Sequence, residues 1–170
     1  MANILSQAHL YIGTSMFGKV SEFKFPDVTN IVTEIKPIDS IGKYSLPVGI
    51  QLEDASLKFI GFNAKAFEEL SDLTSEHLIT VRGNLKEFNG VTLKDEQAIK
   101  GTIRCITKKI TSLGTIKGQE NAEFVVELIP HAIKLEHKGK VLTEIDIPNN
   151  IYTNNSEDML SKMRSNLGLN

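Results

Sequence analysis

The sequence predicts a mainly β domain with some helix, folded as a sandwich or barrel-like structure with one flanking helix and a second helix at the C-terminus. Three observations carry this prediction. Runs of alternating apolar and polar residues recur along most of the chain, which is the period of strands covered on one face. Turn signals separate them, above all Asn89-Gly90 and Lys138-Gly139, where residues that tolerate positive φ favour tight hairpins. Helical spacing of apolar residues is confined to residues 63–73 and to the end of the chain. No repeat of 20 to 50 residues is visible, so the 170 residues read as a single domain, 1–170, with 148–170 as a linker plus the C-terminal helix.

Taken in order, residues 9–12 read as a short strand, Gly13 to Gly18 as a turn, and residues 20–25 and 31–36 as further strands on either side of Pro26-Asp27. The segment from Pro37 to Pro47 reads as a long loop, yet it carries Ile38, Ile41, Tyr44 and Leu46. A solvated loop would be mostly polar, so these residues either fold onto the parent domain or form a sticky surface for another subunit. Residues 48–61 are the next β candidate. A helix follows, with Asn63 as N-cap, Phe62 and Phe67 placed as a hydrophobic staple, and Phe67, Leu70 and Leu73 as its buried stripe.

From His77 the chain returns to strands. Ile79, Val81, Gly83 and Leu85 share one face, and Ile99, Ile103 and Cys105 share another across the Asn89-Gly90 hairpin. Ser112 to Gln119 reads as a connecting loop whose glycine spacing does not fit a phosphate-binding loop. Residues 123–137 carry apolar side chains on both faces, Phe124, Val126 and Leu128 against Val125, Ile129, Ile133 and Leu135, which implies two covering partners. Val141, Thr143, Ile145 and Ile147 then share a face, and Pro148 ends the strand.

Beyond a polar linker, Asn149 to Asn155, the C-terminal helix reads as roughly three turns capped by Asn155 or Ser156, with Met159, Leu160, Met163 and Leu167 as an apolar stripe. The stripe must be buried, either on its own domain or on a neighbour. Truncating Met163 or Leu167 to Ala is expected to cost about 2 kcal/mol if the side chain is enclosed.

Composition excludes several classes. A net charge of −2 and a pI near 6.1 supply no global positive field for nucleic acid or anionic membrane. No run approaches the ~18 apolar residues of a membrane span. The N-terminus lacks the basic and apolar regions of a secretory signal, so synthesis in the cytoplasm is expected. Cys105 is the single cysteine and sits in a strand-like run as a structural thiol. His9, His77, His131 and His137 are too scattered to share a metal, and no nucleophile elbow, zincin helix or dinucleotide turn occurs. No catalytic residues, metal ligands or cofactor are expected.

Three ordered segments carry a resemblance: residues 139–147 with the terminal Met163-Arg164-Ser165-Asn166-Leu167-Gly168-Leu169, the central Leu46 to Leu57, and the helix at 63–73. Together they resemble the major tail tube proteins of contractile-tailed phages and related contractile bacteriocin particles, over nearly the whole chain. The resemblance implies a tail-tube fold and a structural subunit of six-membered rings stacked around a pore. Its implied partners are further copies of itself, the tail sheath, baseplate and tail terminator proteins, and DNA passing through the pore of a phage tail; its implied location is the tail of a virion or particle. Under that reading Ile38, Ile41, Tyr44, Leu46, Met159, Leu160, Met163 and Leu167 are the expected subunit-interface residues. The rival readings are a small β-barrel holding a hydrophobic ligand, a type VI secretion tube-like protein, and a β-rich enzyme with an unrecognised pocket.

Overall fold

A computed structural model describes residues 1–113, 118 and 122–169, so the connecting loop read at 112–119 lies largely outside the described residues. The chain is built on a ten-stranded antiparallel sheet and a separate two-stranded hairpin. In the large sheet, β1 (Ala2–Ile12) pairs with β2 (Ser15–Phe17) and β7 (Glu76–Asn89), and β7 pairs with β8 (Thr92–Ile110). β8 pairs in turn with β9 (Glu123–His137). The hairpin consists of β4 (Val28–Ile35) and β5 (Tyr44–Leu52). Thus Tyr44 and Leu46, read as loop, belong to a strand.

At β9 the sheet forks. Residues 123–128 pair with β6 (Ala55–Ile60), which also holds β3 (Val20–Lys24), whereas residues 132–137 pair with β10 (Lys140–Asp146). The switch occurs at a bulge: Arg104 faces Ala132 but Cys105 faces Pro130, leaving His131 as the extra residue. An extra residue reverses which side chains point inward. Phe124, Val126 and Leu128 before it and Ile133 after it therefore all enter one core. This corrects the expectation of two covered faces over 123–137: Val125 is only half-buried and Ile129 is exposed.

The core is continuous from Leu10, Ile12 and Phe17 through Leu57 and Phe59 to Ile79, Ile103 and Ile145. Phe59 and Phe124 stack with ring centroids 5.5 Å apart, and Phe17 meets Phe59 edge-on at 6.4 Å. Such aromatic pairs add to the stabilisation from burial itself. Helix α1 (Ala64–Leu70) closes one part of this core with Ala66 and Leu70. Its Asn63 side chain accepts the Ala66 N–H at 3.1 Å, and the Phe62 and Phe67 rings lie 5.9 Å apart, as the capping and staple pattern predicts. Leu73 was expected in the buried stripe but lies beyond the helix end and is 51% exposed.

Curling of the sheet brings β3 opposite β1 across a cleft of about 610 Å³ lined by Leu10, Phe17, Phe23, Phe25 and Val81. Phe25 lies against Gly101, where a Cβ would come within 2.5 Å of the ring. Only glycine permits that approach. Cys105 is buried, and desolvation pushes its thiol up to about 12, so it is an inert structural residue.

The C-terminal segment departs most from expectation. Asn155 and Ser156 both have positive φ and form the turn of a tight hairpin between β11 (Ile151–Asn154) and β12 (Glu157–Asp158). They do not cap the helix, and most of the segment read as linker is β11, paired along β10. What remains is a short α2, Ser161–Asn166.

One buried group is uncompensated among the described residues: the Thr107 hydroxyl has no hydrogen-bond partner. Desolvating such a group without a bond costs about 1–3 kcal/mol. Thr107→Val is therefore expected to raise the urea midpoint, by roughly 1 kcal/mol of stability; an unchanged or lowered midpoint would show that the hydroxyl has a partner in solution.

Candidate assembly surfaces

Exposed apolar residues gather in two places. The first is the β4–β5 hairpin. Its strands pair only with each other among the described residues, and an isolated two-stranded hairpin is marginal in water. The ladder leaves Val48 as an extra residue opposite the Ile31/Val32 step, so each face keeps an apolar set. Ile31, Ile35, Tyr44 and Leu46 lie on one side; Val28, Val32, Ile50 and Leu52 lie on the other. Ile38 and Ile41 at the tip are fully exposed, at 107% and 111%. The tip is ordered locally by a Ser40 N–H to Pro37 carbonyl bond of 3.3 Å and a Lys43–Glu34 ion pair of 3.0 Å. Exposed pairs of this kind contribute little.

The second gathering is C-terminal. Leu160 and Met163 line a cavity of about 260 Å³ with Ile50, Ile145 and Tyr152, so α2 leans on the base of the hairpin and on β10. Docking is shallow. Met159 is 53% exposed, Met163 36% and Leu167 63%, and α2 has no buried residue. Arg164 fastens the segment by pairing with Asp158 and donating to the Asn150 carbonyl at 3.0 Å. Of the expected interface residues, Ile38, Ile41, Tyr44 and Leu46 thus share the hairpin, while Met159, Leu160, Met163 and Leu167 share the other patch.

Further exposed apolar residues were not singled out in the sequence. Val48 and Ile147 are exposed beside the second, and Ile4, Leu5 and Val91 are exposed on the paired β1 and β7–β8 arm. None carried an interface signal in sequence: Ile4 and Leu5 are adjacent in a strand, Val91 follows the Asn89-Gly90 turn, and Ile147 follows the end of β10.

Among the described residues the polar clusters join strands to one another. The densest joins four strands: Arg104 pairs with Asp146 and lies 3.8 Å from Glu76, whose other oxygen is 3.0 Å from His131 Nε2. Asp146 also accepts from Asn149, through its backbone N–H at 3.2 Å and its side chain at 2.9 Å. These bonds tie β7, β8, β9 and β10 together and account for the buried Asp146 carboxylate. Among the described residues no group of His, Cys, Asp and Glu could hold a metal ion, and no helix is long and apolar enough to cross a membrane.

The family model for phage tail tube protein FII matches residues 2–168. The chain belongs to this family. No curated protein shows significant similarity to the chain. Among solved structures, this tail tube family member is similar to a chain from an extracellular contractile injection system, the PVC sheath/tube terminator in its extended state. That match has a TM-score of 0.57 at 13% identity and covers 77% of this chain and 94% of the other. Looser matches are a chain of the anti-feeding prophage baseplate, with a TM-score of 0.46 at 12% identity over 76% of this chain and 90% of the other, and the Hcp protein, with a TM-score of 0.42 at 13% identity over 77% and 92%. At 13% identity the likeness to the sheath/tube terminator is one of fold.

The Asp158 carboxyl is held below its ordinary value of 3.8, chiefly by the Arg164 side chain and then by the Leu160 N–H. A depressed carboxylate stabilises its contact above the ordinary value and loses it as pH falls through the lowered one. Heteronuclear NOE values of residues 161–166 are expected to fall on acidification below about pH 4, and Asp158→Asn to show the same loosening at neutral pH. Values unaffected by both changes would remove the ion pair from the docking of α2.

Proposed function

We propose that this chain is the structural subunit of the inner tube of a contractile injection tail, closing into six-membered rings that stack around a pore. The observation that carries the reading is the β4–β5 hairpin, a projecting two-stranded element with apolar residues on both faces and a fully exposed apolar tip. Its base is held by Ile50 and Leu52 packed against the core, but the exposed remainder gains stability when neighbours cover it. A family of tail tube proteins supplies those neighbours as further copies of the same chain.

The unpaired sheet ends fit the same reading. The large sheet runs from β12 at one edge to β2 at the other, and a head-to-tail contact between unlike edges closes into a ring when the rotation permits. Closure also removes strand edges that would otherwise template aggregation. In this role the protein uses no catalytic residue and no cofactor. The sheath, baseplate and tail terminator are its heterologous partners, its place is the tail of a virion or particle, and, where the tail is that of a phage, DNA passes through the pore without sequence-specific binding.

Two experiments test the surfaces. Ile38→Asp and Ile41→Asp alter side chains that are fully exposed in the single chain, so monomer stability is expected to change by no more than about 0.5 kcal/mol. Electron microscopy of the concentrated wild type is expected to show rings or stacked tubes, and the variants to show neither; tubes from both variants would take the tip out of the interface. Met163→Ala and Leu167→Ala are expected to lower monomer stability by less than the ~2 kcal/mol of an enclosed side chain, while raising the protein concentration needed for tubes. A full core penalty in the monomer, with assembly unchanged, would place α2 entirely on its own subunit.

A further inference from the structure

The β7–β8 hairpin ends in a two-residue turn. Asn89 pairs with Thr92 as the last rung of the ladder, which leaves Gly90 and Val91 as the loop. Gly90 has a φ of +64°, the positive angle that the first loop residue of such a turn requires. Asn89, Gly90 and Val91 are all exposed, Val91 at 99%. The closing pair of a two-residue hairpin uses the N–H and carbonyl of Asn89, so the ladder makes no use of the Gly90 N–H. Among the described residues that N–H donates to no backbone carbonyl, and nothing lies within 4 Å of where a Gly90 side chain would begin. No other asparagine in the chain is followed by glycine.

We infer that Asn89 is a site of spontaneous deamidation, and that the change is felt along the arm formed by the ends of β1, β7 and β8. The inference is independent of the ring reading. The Gly90 nitrogen attacks Asn89 Cγ and closes a five-membered succinimide. The Cγ–Nδ2 bond breaks, and Nδ2 leaves as ammonia with the proton that Gly90 gave up through solvent. Water then adds to one of the two ring carbonyls. Opening at Cγ leaves aspartate; opening at the main-chain carbonyl leaves isoaspartate, whose backbone runs through the former side chain and is a carbon longer. The reaction needs an attacking nitrogen that is free of hydrogen bonds and uncrowded by a side chain. Gly90 meets both needs. At Asn63, Asn149 and Asn155 the conditions fail: Asn63 Oδ1 accepts the Ala66 N–H at 3.1 Å, the Asn149 side chain donates to Asp146 at 2.9 Å, and Asn155 is followed by Ser156, whose Cβ crowds the nitrogen.

The ladder gates the step. Ring closure turns Asn89 out of the extended conformation, so the Asn89–Thr92 pair must open first. Little holds it: the register shifts after Glu87 and Asp95, leaving Lys94 as the extra residue, and only Phe88–Leu93 and Asn89–Thr92 lie beyond that bulge. Terminal pairs of this kind open locally without unfolding the rest. Ala2 pairs with the same Phe88, so a lengthened backbone at residue 89 disturbs the start of β1 as well. The new carboxylate is also poorly compensated, because nearby Lys86, Lys94 and Lys138 are already paired with Glu96, Glu87 and Asp95. A long-lived copy thus carries an altered arm on an unchanged core.

The full chain, incubated at mildly alkaline pH, tests this by peptide mass mapping, isoaspartyl methyltransferase labelling and hydrogen exchange. Conversion at Asn89 is expected to run several-fold faster than at Asn155 or any other asparagine and to yield both aspartate and isoaspartate. It is expected to slow as pH is lowered, since the attacking nitrogen must lose its proton. Asn89→Gln, which would have to close a six-membered ring, is the blank; freshly prepared Asn89→Asp supplies the charge without the longer backbone. Amide exchange at residues 2–4 and at Phe88 is expected to quicken in the isoaspartyl fraction and to stay near the starting rate in Asn89→Asp. Conversion at position 89 no greater than in Asn89→Gln, or faster conversion at another asparagine, would overturn the site. Unchanged exchange in the isoaspartyl fraction would confine the change to the turn and overturn its effect on β1.

Discussion

The rest of the structure depends on one extra residue in β9. If the strand ran from residue 123 to 137 without the bulge at His131, Phe124, Val126 and Leu128 would point to the same side as Lys134 and Glu136. Each of the three is 0% exposed in the folded chain, and exposing a side chain of this size forfeits about 1.5–3 kcal/mol. Three such losses would consume much of the 5–15 kcal/mol that stabilises a typical domain. The bulge prevents this and does a second thing: it divides the free edge of β9, so that β6 takes the first half and β10 the second. Pro130, which lacks an N–H, falls between the two ladders, where neither partner needs a donor. The His131 carbonyl beside it is satisfied by the Ile147 N–H at 3.0 Å.

That same bulge explains what could be read from the sequence and what could not. Hairpins fixed by two or three adjacent residues were legible, because positive φ at Gly90 and at Lys138-Gly139 is a local requirement. Helix α1 was legible from its cap and staple. Period-2 reading of β7 and β8 also held, since the two pair without a shift from Glu76↔Ile106 to Glu87↔Asp95. In β9 the alternation breaks once, and a broken alternation on one strand looks the same as two covered faces. The C-terminus misled for a related reason. Asn155 and Ser156 favour both helix N-caps and positive-φ turns, and only the pairing of Ile151–Asn154 along β10 decides between them. The apolar stripe of Met159, Leu160, Met163 and Leu167 was real as a pattern, but the helix that carries it is half the expected length.

The hairpin residues Ile38, Ile41, Tyr44 and Leu46 were legible as an anomaly because too much apolar surface sat in a polar context. Their arrangement was not. Which faces Tyr44 and Leu46 occupy depends on Val48 being the unpaired residue of the ladder, and nothing in the local sequence marks Val48 for that position. Exposed apolar side chains are dense on the hairpin and the C-terminal segment, whereas the long strands of the main sheet carry cross-strand ion pairs such as Lys86–Glu96 and Lys100–Glu136 beside isolated exposed apolar residues such as Ile4, Leu78 and Ile129. The division follows from how each is built: long strands in register can place opposite charges side by side, whereas a two-stranded hairpin has no third strand to cover it.

This difference in construction implies a difference in when each part becomes rigid. The main sheet has its own core, and its order does not require a second molecule. The hairpin has a ladder, an exposed ion pair and no core of its own. Fixing a residue's backbone costs about 1–2 kcal/mol, and for a segment of this length the ladder alone does not offset that cost. Ile50 and Leu52 at its base pack against the core, so order is anchored there, and toward the tip it gains from any contact that covers the exposed apolar side chains.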